Sequence, residues 1–341
     1  TLTSTDSDVS FGSTIDSDSI DRNLSLVTGS GNISVTGAVG SSNNLDVLTV
    51  NNTGTFTTSS SVAATTMTLT HTGGTTIGGT LTATTMNLTD TTDAASITFN
   101  GNVSATTLNT AAEAYNVVFN GTTSTVANAV TFSNSGTVTF GNGTGDTTTF
   151  TGGVVATAPT QVNLAGTVVT TDTTMMSLGD TNTPIVLTAN TILSANTGGD
   201  ILMGGTVNGA YSLTLNTTGN TILTSAIGGT TALTSLTTNA GGATFITDAI
   251  TTTGTQTYND GVDLFASITL TTTNSDVTFG GTIDSELFET NHLTIDTNGT
   301  TGTIQFGGLV GNTVALGAIG ITGNLDLDAN IVGAASLAVS G

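Results

Sequence analysis

The sequence predicts an all-β fold, a parallel β-helix (β-solenoid), and two observations support this. The first is composition: of 341 residues, 84 are Thr and 44 are Gly, and only 7% are charged. Thr, Val and Ile favour strands because their branched side chains suit a pleated surface. Helix formers are scarce, since the chain has three Glu, one Arg and no Lys. The second observation is an internal repeat.

The repeat is clearest between the two ends of the chain. Residues 1–17 (TLTSTDSDVSFGSTIDS) match residues 269–285 (TLTTTNSDVTFGGTIDS) at 13 of 17 positions. Shorter units recur between them, and each reads as a short alternating strand, a Gly or Asn turn and another short strand. Their period of roughly 20–25 residues is typical of solenoids.

Strands this short cannot bury a face alone, but stacked coils can share one continuous core. The repeat length predicts roughly 15 coils of about 20–25 residues. We expect one continuous rod with solenoid coils at 1–141 and 185–341, and less regular, decorated coils at 142–184. A string of β-sandwiches is the alternative architecture. It fits less well because such domains usually carry aromatic anchors, whereas this chain has no Trp and three Tyr.

Alternation along the repeat also predicts which side chains form the core. Eight apolar residues recur at matching places and are expected to point into one shared interior: Leu213, Leu215, Ile227, Leu233, Phe279, Ile283, Leu293 and Ile295.

Two segments carry a resemblance to a known group of proteins. Residues 251–284 (TTTGTQTYNDGVDLFASITLTTTNSDVTFGGTID) and 212–223 (SLTLNTTGNTIL) resemble repeats of filamentous-haemagglutinin-like and autotransporter-like bacterial surface proteins. The resemblance covers the C-terminal half and, less closely, residues 1–50. It implies a right-handed parallel β-helix that is secreted and located outside the cell, at the bacterial surface.

The charge balance restricts the expected partners. The net charge is −22, and Arg22 is the only strong base. Phosphate groups bind clustered Lys or Arg, so nucleic acid and anionic lipid are poor partners, and divalent cations or cationic surfaces are favoured. No apolar window is long enough for a membrane-spanning helix. Because Thr1-Leu2-Thr3 reads as part of a strand, we expect a mature product or an excised segment.

The side-chain inventory predicts no enzymatic activity. Enzymes on β-helices combine clustered carboxylates with Lys, Arg or His. Here the two histidines, His71 and His292, lie far apart in sequence, and the chain has only one Arg. No catalytic residue and no organic cofactor is therefore predicted.

Acidic pairs are the candidate metal ligands. Residues two apart in a strand share a face, and two carboxylates on one face can bind Ca²⁺ together with backbone carbonyls. A solvated acidic face that keeps the rod soluble is the alternative interpretation. Three pairs have this spacing: Asp6 and Asp8, Asp16 and Asp18, and Asp326 and Asp328.

Two functions are consistent with these features. The first is an extracellular structural protein, a rod or filament-forming segment of a bacterial surface fibre, coat or sheath. Its copies would associate head to tail, because uncapped coils expose strand edges. The residues expected in that contact are Thr1, Leu2, Thr3, Leu337 and Val339. The alternative is an adhesin region that binds a host, surface or glycan ligand through residues 142–184.

Overall fold

The computed structural model describes residues 1–196, 198–299 and 301–340. They form two compact units, Thr1–Thr171 (unit 1) and Asp172–Gly341 (unit 2). The described residues contain no helix, and the named strands pair in parallel within each unit. The predicted all-β, parallel β-solenoid is therefore confirmed.

Unit 1 consists of short strands separated by turns. Its strands are β1 (Leu2–Thr3), β2 (Val9–Phe11), β3 (Arg22–Gly29), β4 (Ile33–Val35), β5 (Leu45–Asn52), β6 (Phe56–Thr58), β7 (Val62–His71), β8 (Thr75–Ile77), β9 (Leu81–Leu88), β10 (Ser96–Phe99), β11 (Val103–Thr110), β12 (Asn116–Phe119), β13 (Thr123–Val126), β14 (Val130–Thr131), β15 (Thr137–Phe140), β16 (Thr147–Phe150), β17 (Val154–Ala156) and β18 (Gln161–Thr170).

Unit 2 has the same organisation. Its strands are β19 (Met176–Leu178), β20 (Ile185–Ala195), β21 (Ile201–Met203), β22 (Val207–Asn208), β23 (Ser212–Thr217), β24 (Thr221–Leu223), β25 (Ser235–Thr238), β26 (Ala243–Ile246), β27 (Ile250–Thr251), β28 (Gln256–Tyr258), β29 (Gly261–Leu264), β30 (Ile268–Thr271), β31 (Val277–Phe279), β32 (Ile283–Ser285), β33 (Leu293–Asp296), β34 (Thr303–Phe306), β35 (Leu316–Thr322), β36 (Asn324–Leu327) and β37 (Ala334–Ser340).

Each unit is held together by ladders of strands from successive turns. In unit 1 one ladder runs through β2, β4, β6, β8, β10, β12, β15 and β18. A second follows β1, β3, β5, β7, β9 and β11. A third continues from β11 through β13 and β16 to the second half of β18. A long strand such as β18 turns a corner, so its two halves belong to different ladders.

Unit 2 is built from ladders of the same kind. The first follows β20, β23, β25, β28, β31, β34 and β36. The second follows β19, β21, β24, β26, β29 and β32. The third follows β27, β30, β33, β35 and β37. The interval between paired positions is not constant. It is short where Leu316 pairs with Ala334 and longer where Val277 pairs with Ile304, because turn lengths vary.

The core of each unit follows from the alternation of buried and more exposed residues along most strands. In β15, for example, Val138 and Phe140 are buried while the intervening threonines are half-buried. All eight residues predicted to form the core of the repeat are at most 1% exposed. The predicted core register is therefore confirmed in unit 2, where these residues lie.

Unit 1 contains a column of aromatic rings. The register places Phe99, Phe119 and Phe140 on successive turns of one ladder, and Phe132 and Phe150 pack against them. Ring centroids of neighbours in this group lie 5.2 to 6.4 Å apart, and the pairs are tilted or edge to face. Such geometries are favourable for aromatic pairs, so these five rings anchor the interior of unit 1.

Glycine forms one recurring corner of the coils. Gly40 (φ 70°) and Gly228 (φ 73°) have left-handed backbone, and a side chain there would collide with the carbonyl oxygen of Ala63 or Thr251 on the next turn. Only glycine satisfies both requirements without strain. The corner therefore explains part of the high glycine content.

Residues 142–184 contain β16 to β19 as well as the boundary between the two units. Pro184 immediately precedes β20, a position where its missing N–H costs no ladder hydrogen bond. The expectations of decorated coils there and of a right-handed coil remain predictions.

We predict that Phe140→Ala destabilises unit 1 by about 3–5 kcal/mol, because removing a buried ring leaves a cavity among its neighbours. Urea unfolding followed by circular dichroism measures the loss. Phe288→Ala is the matched control, since Phe288 is 99% exposed, and it should change the free energy of unfolding by less than about 0.5 kcal/mol. Equal effects of the two substitutions would contradict the aromatic anchor.

Candidate functional site

The acidic side chains near the start of the chain accept hydrogen bonds from the following turn of the coil. The Asp6 carboxylate accepts hydrogen bonds from the Ser30 backbone N–H (3.1 Å) and hydroxyl (3.0 Å). Asp16 accepts one from the Ser42 N–H (2.9 Å). These bonds, chiefly the backbone ones, lower the pKa of both carboxyl groups. Donors to an ionised carboxylate stabilise its charged form, so both residues link one turn to the next.

The same links recur in the repeated module. Asp8 accepts a hydrogen bond from the Asn32 N–H (2.7 Å), and its counterpart Asp276 accepts one from the Thr303 N–H (2.8 Å). The counterpart of Asp16 is Asp284, whose carboxylate accepts bonds from two backbone N–H groups of the following turn. Asparagine does the same elsewhere, because the Asn102 side-chain oxygen accepts a backbone N–H of the following turn at 3.0 Å.

Asp18 differs because its partner is a cation. Arg22 donates to both of its carboxylate oxygens at 2.7 and 3.1 Å. The hydrogen bond from Arg22 and the attraction of its charge help to lower the pKa of Asp18. Both side chains are more than half exposed, so the pair shapes a surface loop and adds little stability.

The last acidic pair lies on the final turn that the structure describes in unit 2. Asp326 is exposed on β36, and Asp328 accepts a hydrogen bond from the Gln305 side-chain amide at 2.7 Å. Across the described ranges 1–196, 198–299 and 301–340, no three carboxylate or histidine side chains come together as a potential metal centre. Calcium binding by the three Asp pairs remains a prediction.

Unit 2 brings two other acids together, which sequence reasoning missed. Asp263 and Asp284 are in register on β29 and β32, so they lie on adjacent turns about 4.8 Å apart. Partial burial, followed by the nearby Asp284, raises the pKa of Asp263. On the same ladder, Phe245 precedes Asp263 in register and its ring packs against Phe265 at 5.1 Å. The number of residues between the two acids matches the length of one coil. With the length of each coil known, this spacing would have predicted the pair.

The two histidines have separate environments. His71 Nδ1 lies 2.6 Å from an oxygen of Asp90, and both side chains are partly exposed. His292 Nδ1 accepts a hydrogen bond from the Ala318 N–H at 2.7 Å. Since that nitrogen is engaged by backbone, His292 helps to position the strand of the next turn.

The predicted end-to-end residues lie on open strand edges. Among described strands, β1 pairs only with β3, and β37 pairs only with β35. Thr1 and Thr3 are exposed, and Leu2, Leu337 and Val339 are exposed to 40, 43 and 49%. These five residues therefore have the exposure that an end-to-end contact requires.

A cavity lies beside one of these edges. It has a volume of about 620 Å³ and is lined by Leu327 at the end of β36, by residues 328–332, which follow that strand, and by Leu337 of β37. The structure thereby places Asp328, a candidate metal ligand, beside one predicted contact residue.

Two loops expose large apolar side chains that sequence reasoning also missed. Ile20 in unit 1 is 62% exposed, and Leu287 and Phe288 in unit 2 are 70 and 99% exposed. Ile20 and Phe288 occupy the same position of the repeated module, just beyond its matching segment. Extending the comparison of the two copies past Ser17 and Ser285 could have drawn attention to them.

Within the part of the chain that the structure describes, no helix has the length and apolar character needed to cross a membrane.

We predict that Asp276→Ala lowers the free energy of unfolding by about 1 kcal/mol, because the Thr303 N–H loses its acceptor. Asp276→Asn is the matched control and should be nearly neutral, since asparagine accepts the equivalent bond at Asn102. Thermal unfolding of both variants tests this. If the Asn variant is as unstable as the Ala variant, the charge and not the acceptor matters.

We predict that Asp263→Asn stabilises the protein at pH 7 by about 0.5 kcal/mol, a modest gain because the pair is partly screened by solvent. The raised pKa of Asp263 means that its ionised form is disfavoured in the folded state, so wild-type stability recovers as the pH falls through that pKa. The advantage of the variant should therefore vanish near pH 3. Melting curves between pH 3 and 7 measure it, and an advantage independent of pH would refute the charge explanation.

Comparison with known proteins adds no relative. No protein-family model matches the chain, and neither a curated protein sequence nor a solved structure matches it. The likeness to bacterial surface repeats therefore rests on the sequence phrases alone.

Proposed function

We propose that this chain is an extracellular structural protein, a rod or filament-forming segment of a bacterial surface fibre, coat or sheath. In this function the chain acts through its surfaces and strand edges and performs no catalysis. Copies associate head to tail, the last turn of one copy pairing with the first turn of the next.

The observation that carries this proposal is a difference between the two copies of the repeated module. Leu2 is 40% exposed, but its counterpart Leu270 is fully buried. Phe11 is half-buried, whereas its counterpart Phe279 is fully buried and stacks on Tyr258 with ring centroids 5.1 Å apart. The same side chains are thus exposed in one copy and covered in the other.

What covers the second copy is another turn of the coil. In unit 2, β30 and β31 pair with β27 and β28 on one side and with β33 and β34 on the other. Among the described strands, β1 and β2 pair on one side only, with β3 and β4. An open edge of this kind favours pairing with another strand, and the free edges of β36 and β37 offer strands of the same parallel type.

Location at a bacterial surface is supported by the resemblance to secreted surface repeats and by the lack of lysine. Arg22 is the only residue after which a trypsin-like protease could cut. A chain with one such site and few charges suits exposure outside the cell.

The adhesin alternative is favoured by one observation in unit 1. A groove of about 340 Å³ runs across several turns, and its lining includes the buried Ala83 and Ala105 and the exposed Thr84 and Thr106. None of its lining residues is charged, which would suit a neutral glycan. The groove lies outside residues 142–184.

We predict that the wild-type chain forms filaments that lengthen with concentration, and that Leu337→Asp with Val339→Asp abolishes them, because carboxylates would face the stacking edge. Leu2→Asp should do the same at the other edge. An equimolar mixture of these two variants should yield dimers only, since each retains one functional edge. Electron microscopy and analytical ultracentrifugation measure the outcome.

Ile192→Asp is the matched control, because Ile192 is 40% exposed in β20, which is not one of the edge strands β1, β36 and β37, and it should leave filaments intact. A wild-type chain that remains in separate particles at every concentration would refute head-to-tail assembly and favour the adhesin function.

A further inference from the structure

The exposed apolar loops are equivalent parts of a duplicated module. Residues 18–21 align without a gap with residues 286–289. The aligned pairs are Asp18 with Glu286, Ser19 with Leu287, Ile20 with Phe288 and Asp21 with Glu289. Both loops therefore place an exposed apolar residue between two acids. A pattern that occurs twice at the same place of the fold reflects more than a single irregular turn.

A serine hydroxyl closes each loop in the same way. The buried Ser17 hydroxyl accepts the Arg22 N–H at 2.9 Å, and the buried Ser285 hydroxyl accepts the Asn291 N–H at 2.8 Å. In unit 2 the Asn291 side chain and the Glu286 N–H also donate to the Leu264 carbonyl oxygen of the preceding turn. The loops are thus fixed at their bases while the apolar side chains stay exposed.

The loop in unit 2 has the larger apolar surface. Leu287 and Phe288 project from it, and Phe265, 41% exposed, lies one residue beyond the Leu264 anchor. Large apolar side chains this exposed lack the stabilisation that burial would give, which is about 25 cal/mol per Å² of apolar surface removed from water. Exposed apolar surface rimmed by polar residues marks interaction sites.

Charge identifies the kind of partner. Glu286 and Glu289 flank the apolar pair in unit 2, and the loop has no Lys or Arg because Thr290 stands where unit 1 has Arg22. A second copy of the chain cannot supply the complementary charge, since Arg22 is its only Lys or Arg and already binds Asp18 at 2.7 Å. Anionic lipid is repelled by the net negative charge.

We propose that these two loops are docking elements for a basic protein whose surface has an apolar pocket rimmed by Lys or Arg. Phe288 and Leu287 fill the pocket, and Glu286 and Glu289 pair with its rim. Ile20, flanked by Asp18 and Asp21, forms a second and weaker site, because its apolar surface is smaller and Arg22 neutralises one acid. This interaction is lateral to the coil and independent of head-to-tail stacking.

Selection from a random peptide library displayed on phage tests the proposal, with the wild-type chain as bait and a Leu287→Ser, Phe288→Ser variant for counter-selection. The enriched peptides should combine Lys or Arg with large apolar residues. In calorimetric titration of a selected synthetic peptide, Phe288→Ser should weaken binding at least about tenfold. Glu286→Gln with Glu289→Gln, or added salt, should weaken it as well.

Matched variants complete the experiment. Ile192→Ser, at an exposed apolar position outside both loops, should leave the affinity unchanged, and Ile20→Ser should remove only the weaker of two binding events. Enriched peptides without basic residues, equal binding to the counter-selection variant, or preferential binding to phosphatidylcholine vesicles would each overturn the proposal. Loss of chain self-association in the Phe288 variant would also overturn it, because the partner would then be a second copy.

Discussion

Parallel, in-register pairing of successive turns is the constraint on which the rest of this structure depends. The backbone ladder holds neighbouring turns about 4.8 Å apart and sets equivalent positions directly above one another. An inward position therefore becomes a column, as for Phe99, Phe119 and Phe140. An outward position becomes a row, in which the Asn109 side-chain amide donates to Asn87 on the turn before. Residue types that pack well against an identical side chain on the neighbouring turn are therefore favoured.

The same stacking explains how the chain tolerates 23 acids with one arginine. Successive turns lie above one another, so backbone N–H groups at the turns point toward acidic or amide side chains of the turn before. Asp8, Asp16 and Asp276 each accept such a bond. Asp263 lies in register with Asp284, and partial burial together with that second charge disfavours its ionised form instead.

Surfaces suited to interaction occur where the in-register pairing of successive turns is interrupted. At the edges formed by β1 and β37, pairing among the described strands is satisfied on one side only. In the loops closed by Ser17 and Ser285, the chain leaves the coil and exposes Ile20 or Phe288. An open edge favours pairing with another parallel strand, whereas the acidic loops favour a partner of opposite charge. A structural filament with laterally bound proteins would use both.

The sequence by itself determined the fold class, the repeat and the inward-facing residues, because alternation along a strand is a local property. Leu213 and Ile295 could be assigned to the core without knowing what lies next to them. Only the tertiary structure decided which turns lie opposite each other, because the interval between paired positions varies along the chain and every turn length shifts the register of the next. The link from Asp16 to Ser42, the acidic pair at Asp263 and the exposure of Phe288 all depend on that register.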